Sequence, residues 1–165
     1  KHHFIGSNVI ELSSIINGST IIAVNNEHFG KAENILAPGR AFNMGDGWET
    51  RRRRSKGNDW LIFKFGIPGK IKKIIIDTSH FKGKFPDQFS IQREYIKESK
   101  KISKKLIIKK SNKWKSLIEK TKLYENREHS FDNILFPNKL INYIKLNIFP
   151  DGGIARLNIF GIKVK

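Results

Sequence analysis

Short runs of β-branched and aromatic residues, separated by turn residues, constrain the fold of this 165-residue chain more than any other feature. Thr20–Val24 is short and β-branched, which is typical of a buried strand. Ile144, Leu146 and Ile148 alternate with less apolar residues, which predicts a half-buried strand. About eight such runs, with turn signals between them and almost no helical period, predict an all-β fold, an antiparallel β-sandwich.

The boundaries of several elements follow from the turn residues. Asp59–Phe65 and Lys70–Asp77 have the composition of two strands, so Ile67–Gly69 is predicted to join them as a hairpin-type connection. One turn of helix is predicted around Ala32–Leu36. Further strands are predicted near residues 7–16 (an edge strand or a cap), 89–95, 113–118, 127–132 and 154–161.

Positive charge is concentrated in one part of the chain. The formal net charge is +17, which favours anionic partners, and residues 97–115 contain nine lysines and one glutamate. The apolar centre Leu106–Ile108 predicts a short strand in a protruding hairpin, because no clean helical period surrounds it; a helix is the alternative. The candidate contacts to RNA or another anionic partner are Lys100, Lys101, Lys104, Lys105, Lys109 and Lys110.

Several classes of protein are excluded by what the sequence lacks. Without cysteine the chain forms neither disulfides nor zinc–thiolate sites. No apolar run approaches the roughly 20 residues that span a bilayer, and we expect that the first residues are not a secretory signal, because no apolar core of the right length follows them. Phosphate-binding, dinucleotide and nucleophile-elbow motifs are also missing. We expect a piece or processed form of an intracellular protein that is cytoplasmic or, alternatively, in an organelle such as the mitochondrion.

Residues 43–54 contain the densest chemistry of the chain. Glycines flank Asp46, and four consecutive arginines follow, Arg51–Arg54, here named the arginine run. Arginine binds carboxylates and ureas through two parallel hydrogen bonds, so this composition predicts a pocket for a small, polar, anionic molecule. The alternative is a solvated basic turn with Trp48 in the core.

Two further stretches carry polar residues at strand ends. Asp77, His80 and Lys82 follow the apolar run 74–76, and residues 149–157 form a tight turn between two strands. We predict that the arginine run and the Asp77–His80 loop converge on one side of the sandwich, where they form a hollow of the size of a small anion.

Together these stretches resemble the allantoicase family. The matching strings are EHFG, PGR, NMGDGWETRRRR, GNDW, IDTSHFKGKFP and LNIFPDGGIARLNIFG, which extend over about residues 8–161. The resemblance implies a jelly roll of the galactose-binding-like type and hydrolysis of allantoate to ureidoglycolate and urea. The chain is similar to the second of two homologous repeats, so we expect one domain, 1–165, with a Lys-rich insertion at about 97–113. A site formed between repeats would be incomplete here.

Allantoate carries one carboxylate and two ureido arms on one carbon, which suggests a role for each candidate residue. His80 is the expected acid or base, because histidine titrates near neutral pH. Carboxylates accept hydrogen bonds from ureido N–H groups, and arginines bind the carboxylate. The catalytic candidates are His80, Asp77 and Glu49, and the substrate-binding candidates are Asp46, Arg51, Arg53, Lys82 and Arg156.

The sequence requires no cofactor. A divalent metal held by His28, His80, His129 and Asp77 is an alternative that no ligand spacing supports. The first functional hypothesis is an allantoicase-type enzyme domain that acts on a ureide and pairs with a partner repeat or a second copy. The second hypothesis is a catalytically silent subunit of a larger complex. That complex contains RNA, as a ribosome does, and the subunit binds to it through its basic surface. Carbohydrate binding is a distant third, by jelly-roll analogy alone.

Overall fold

The computed structural model describes residues 8–164, which form ten β-strands, one α-helix and three short 3-10 turns. The turns are Ile15–Asn17, Ala32–Leu36 and Met44–Asp46, and the second of them confirms the predicted helical turn. The strands are β1 (Val9–Glu11), β2 (Thr20–Val24), β3 (Trp48–Glu49), β4 (Asp59–Asp77), β5 (Gln88–Glu94), β6 (Lys115–Lys122), β7 (Glu128–Phe131), β8 (Ile141–Phe149), β9 (Gly153–Ile154) and β10 (Arg156–Lys163), and the helix is α1 (Lys104–Ser111).

The strands pair antiparallel in two layers that share β4. One layer has the order β2, β4, β8, β5 and β6, and the other has β1, β10, β4 and β7. The layers enclose one large apolar core that includes Phe63, Phe65, Ile74, Leu146 and Leu157. This arrangement confirms the predicted antiparallel β-sandwich. Trp48 is fully buried in the same core, as the sequence suggested.

The predicted hairpin-type connection at Ile67–Gly69 is wrong, because β4 is one strand of 19 residues. Its first part pairs with β2 and β8 and its second part with β10 and β7, and the register along β8 shifts between Lys64 and Gly69. Gly66 has no room for a side chain, since a Cβ would lie 2.2 Å from the backbone oxygen of Asn17. The glycines and Pro68 therefore bend the strand from one layer into the other and do not reverse it.

Two predictions of strand burial are also wrong. Strand β8 was expected to be half-buried, but Ile141–Ile148 is buried on both faces. A second apolar cluster, formed by Ile62, Ile107, Trp114 and Tyr143, covers part of its outer face. Strand β2 was expected to be buried, but Ala23 is the only buried residue in it, since it pairs with β4 on one side alone in the described chain.

The lysine-rich segment contains an α-helix and not the predicted strand. The side chain of Ser103 caps the helix by accepting a hydrogen bond from the Leu106 backbone N–H at 3.2 Å. Ile107 and Ser111 lie one turn apart and face the protein, while the lysines of α1 are exposed. Because the apolar residues Leu106, Ile107 and Ile108 are adjacent, the sequence pattern does not show that only one side of the helix is buried. No helix within residues 8–164 is long and apolar enough to cross a membrane.

Candidate functional site

A polar hollow lies where β4 ends and β10 and β7 begin. Asp77 is the register partner of Arg156 in β10 and of Glu128 in β7, so three charged residues lie in a row across three strands. The hollow has a volume of about 430 Å³. We name it the strand-end hollow, and its polar lining residues are Glu11, Arg40, Asp77, Glu128, Arg156 and Asn158.

Asp77 and Arg40 form the charged centre of the strand-end hollow. Asp77 is 1% exposed, and its Oδ1 accepts a hydrogen bond from the Ser79 N–H at 2.8 Å. The Arg40 guanidinium lies 3.7 Å from Asp77 Oδ2 and 3.3 Å from Glu128 Oε2, and it donates to Ser79 Oγ at 2.8 Å. Two carboxylates therefore orient this cation. Because the Arg40 side chain is 60% exposed, it also stays accessible to a ligand.

Arg156 ties the surrounding loops together. Its Nε donates to the Gly39 carbonyl at 3.0 Å, and its Nη1 donates to the carbonyls of Asp46 at 2.6 Å and Ala155 at 2.8 Å. Within residues 8–164 its Nη2 makes no hydrogen bond, which leaves one end of the fork for a ligand. Burial lowers the pKa of Arg156, and nearby carboxylates, Asp46 foremost, act in the opposite direction.

Glu11 contributes a second half-buried carboxylate to the hollow. Its Oε2 accepts a hydrogen bond from Asn158 Nδ2 at 2.7 Å. Burial raises the pKa of Glu11, although this hydrogen bond and the charge of Arg156 lower it in part. The hollow therefore holds one acidic group whose charged form the protein environment disfavours.

His80 comes one residue after Ser79 and is not among the residues that line the hollow. Its backbone is left-handed, with φ of 76°, and its N–H donates to Asn126 Oδ1 at 2.8 Å. The ring Nε2 lies 2.8 Å from the Ala41 carbonyl oxygen, next to Arg40. A carbonyl only accepts hydrogen bonds, so Nε2 carries the proton, and Nδ1 of the neutral ring is the free base. Lys82, two residues later, is exposed.

The structure does not bring the arginine run to the strand-end hollow. Thr50 hydrogen-bonds to Gly152, and Arg53 turns to the buried carboxylate of Asp59, with Nη1 at 3.0 Å from Oδ1. Arg51, Arg52 and Arg54 are exposed and line a separate shallow depression.

Two carboxylates proposed from the sequence are also engaged elsewhere. Asp46 Oδ2 accepts a hydrogen bond from the Phe42 N–H at 2.7 Å, and its backbone oxygen contacts Arg156. Glu49 Oε2 lies 3.7 Å from Lys84 Nζ. Neither side chain lines the strand-end hollow, whereas Asp77 and Arg156 do.

Sequence reasoning did not select four of the lining residues: Glu11, Arg40, Glu128 and Asn158. Arg40 ends the string PGR, which was a usable signal. Glu128 reaches the hollow only through its register with Asp77, which no local pattern reveals.

The six lysines proposed for an anionic partner, Lys100, Lys101, Lys104, Lys105, Lys109 and Lys110, are all exposed. Four of them lie on α1. No group of three or more His, Cys, Asp or Glu side chains suited to a metal ion occurs within residues 8–164. His129, one of the residues considered for a metal, instead contacts the Ile76 carbonyl through Nδ1 at 3.1 Å.

Solved structures of other proteins share this fold. A crystal structure of allantoicase from Saccharomyces cerevisiae superimposes with a TM-score of 0.79 and 31% identity over 95% of this chain and 44% of that one. A family 32 carbohydrate-binding module from C. perfringens NanJ, solved with galactose, has a TM-score of 0.61 at 14% identity and covers 92% of this chain and 98% of its own. The second likeness concerns the fold alone and confirms the galactose-binding-like jelly roll.

The relatives known from sequence agree with the fold. A protein of Photobacterium profundum named probable allantoicase is 46% identical over 154 residues, which is 93% of this chain and 46% of that protein. This chain thus spans about half the length of the relatives it matches. None of these relatives has a name that points to RNA, so contact of the lysines with RNA stays a prediction. Residues 10–164 match the family model described as the allantoicase repeat, and the chain therefore belongs to the allantoicase family.

Proposed function

We propose that this chain is one repeat of an allantoicase-type hydrolase, which releases urea from allantoate in the strand-end hollow. The observation that carries the proposal is the accessible Arg40 guanidinium beside the buried carboxylate of Asp77 and the free Nη2 of Arg156. Family membership supports the reaction class. Because the chain spans about half of its relatives, the activity of a complete enzyme is part of the proposal.

Substrate binding follows from the charges of the hollow. Arg40 and Arg156 Nη2 bind the carboxylate of allantoate, since guanidinium groups form strong charge-assisted hydrogen bonds with carboxylates. Asp77 and Glu128 accept hydrogen bonds from ureido N–H groups and orient the arms. The volume of about 430 Å³ is in the range of small-molecule sites.

His80 transfers the proton in the proposed reaction. A water oxygen forms a bond with the central carbon, the bond from that carbon to one ureido nitrogen breaks, and urea leaves. His80 Nδ1 accepts the proton of the attacking water and donates it to the departing nitrogen, so that atoms and charge balance. The hydrogen bond from Nε2 to Ala41 keeps the ring in the tautomer that this step needs.

The primary test is urea release from allantoate by the purified chain and its Arg40→Met variant. We expect kcat/KM to fall at least about 100-fold, because the variant retains the bulk of the side chain and loses the charge that binds the carboxylate. Arg52→Met is the matched control, since Arg52 is exposed and outside the hollow. Equal losses in both variants would contradict the proposed site.

A second repeat is proposed to cover the rim of the hollow. Phe42 is 89% exposed, and Met44 is also exposed. Both lie between Ala41, which contacts His80, and Asp46, which contacts Arg156. Exposed apolar residues beside a site are typical of an interaction surface. For the isolated chain we expect a dimer in sedimentation velocity that Phe42→Ser converts to monomer. An unchanged dimer would place the contact elsewhere.

A further inference from the structure

A second polar cavity lies on the outer face of the layer that contains β4, β5 and β8. It has a volume of about 570 Å³, and we name it the sheet-face basin. Lys145 and Asn147 of β8 are buried at this face, Trp60 and Gln92 lie beside them on β4 and β5, and Asn112 follows α1. None of these residues belongs to the strand-end hollow.

Lys145 is a buried cation without an acidic partner among the described residues 8–164. Lys145 is 4% exposed. Its Nζ donates hydrogen bonds to Ser111 Oγ at 2.9 Å and to Asn112 Oδ1 at 3.2 Å. Nζ also lies 5.0 Å from the centre of the Trp60 ring. Within residues 8–164 no carboxylate lies within ion-pair distance of Lys145. All partners of this ammonium group are therefore neutral, and burial lowers its pKa.

A hydrogen-bonded network fixes the polar groups around Lys145. Asn147 Nδ2 donates to Gln92 Oε1 at 3.0 Å, and Gln92 Nε2 donates to the carbonyls of Ser111 and Trp114 at 3.1 and 3.0 Å. These bonds orient the amides before any ligand arrives. Asn112 Nδ2 makes no hydrogen bond within the described part of the chain, so a donor remains next to Nζ.

The remaining charges of the basin do not neutralise Lys145. Arg53 lines the basin but is paired with Asp59 at 3.0 Å. Lys120 lies over the Phe149 ring at 4.2 Å, and Glu119 is exposed. Two lysines thus face one exposed carboxylate, which leaves an excess of positive charge in a concave site.

We propose that the sheet-face basin binds a small oxyanion carried on a hydroxylated body, of the class of sugar phosphates and sugar acids. The oxyanion takes the place next to Lys145 and Lys120 that no carboxylate of residues 8–164 occupies. Amide and hydroxyl groups of the basin, Asn112 among them, hydrogen-bond to the hydroxyls of the ligand. The site is separate from the strand-end hollow and does not depend on hydrolysis of allantoate.

Calorimetric titration of the whole chain tests the proposal with four probes: glucose 6-phosphate, gluconate, glucose and inorganic phosphate. We expect glucose 6-phosphate or gluconate to bind about 10-fold or more tightly than glucose and phosphate, because the charged and hydroxylated parts contribute together. The tighter of the two identifies the oxyanion. If inorganic phosphate bound as tightly as both larger probes, the proposal that the ligand has a hydroxylated body would be wrong. If neither larger probe bound, the proposed site would be wrong.

Variants locate the binding. Lys145→Met should weaken binding of the tighter probe about 10- to 100-fold, because a charged hydrogen bond is lost. Lys115→Met is the matched control, since it removes an equal charge from an exposed position of β6 outside the basin. Equal affinity of the wild type and Lys145→Met would overturn the proposal.

A second pair of variants keeps the test independent of folding and of the proposed hydrolase activity. Should Lys145→Met not fold, as judged by circular dichroism, Lys120→Met combined with Asn112→Ala makes the same prediction at exposed positions. Arg40→Met should bind the probe as the wild type does, and weakened binding in it would move the site to the strand-end hollow.

Discussion

In the strand-end hollow, the buried carboxylate of Asp77 lies beside Arg40, and Arg156 donates to three carbonyls, two in the connection before β3 and one between β9 and β10. In the sheet-face basin, Lys145 is equally buried, but its partners in the part of the chain that the structure describes are a hydroxyl, an amide and an aromatic ring. Both cavities are open, polar and lined by cations. They differ in whether the described residues supply the opposite charge.

The difference separates two uses of a buried charge. Charges that are paired within the chain hold loops in place and leave a defined, partly neutralised surface for a substrate. A buried charge with only neutral partners lowers the stability of the fold and favours an external counter-charge. The following changes test this distinction, in order of expected effect.

Replacement of His80 should have the largest effect, and only on the hollow. His80→Asn removes the proposed base but keeps a residue type that tolerates the left-handed φ of 76°. Urea release should fall about 10²- to 10⁴-fold, whereas probe binding in the sheet-face basin should not change. His80→Ala should lose as much activity and also some stability, because alanine is less suited to this backbone conformation. Full turnover in His80→Asn would remove His80 from the mechanism.

Arg156→Met should destabilise the fold most. The variant removes the donor from the partly buried carbonyl hydrogen bonds at Gly39 and Asp46 and from the buried one at Ala155, so the free energy of unfolding in urea should fall by about 3 kcal/mol. Arg156→Lys serves as the control, since it keeps the charge without the planar fork, and it should recover only part of the loss. A loss below about 1 kcal/mol would show that Arg156 does not hold these loops.

Lys145→Met should have the opposite sign. Because the folded pKa of Lys145 is below its ordinary value of 10.5, the folded protein gains stability as the pH rises from that folded pKa toward 10.5. At neutral pH the charge is therefore a cost, and its removal should raise the free energy of unfolding by up to about 1 kcal/mol. The advantage of the variant should shrink toward pH 10.5. If the variant were less stable than the wild type at pH 7, the hydrogen bonds to the neutral partners would outweigh the cost of burying the charge.

Glu11→Gln should have the smallest effect. The folded pKa of Glu11 is raised above 4.5, so its contribution to stability is present below pH 4.5 and is lost as the pH rises through the folded pKa. Glutamine keeps an acceptor for Asn158 without the charge. The melting temperatures of the variant and the wild type should coincide at pH 4, and the variant should be slightly higher at pH 7. Identical values at both pH values would contradict the effect of burial.

Several features could be predicted from the sequence because they depend on neighbouring residues. Period-two alternation and turn residues indicated the antiparallel strands, and the polar residues after Ile76 indicated where a strand ends beside a site. Asp77 and Arg156 were selected for these reasons and do lie in the same hollow. The strings around them also indicated the family.

Only the tertiary structure decided which charges meet. The row of Arg156, Asp77 and Glu128 results from strand register, and Arg53 pairs with Asp59 outside the strand-end hollow. Lys145 alternates with apolar residues as an exposed lysine would, yet α1 and the residues after it cover it. Local periodicity determines that a strand forms, whereas register and burial depend on residues distant in sequence, which no short pattern contains.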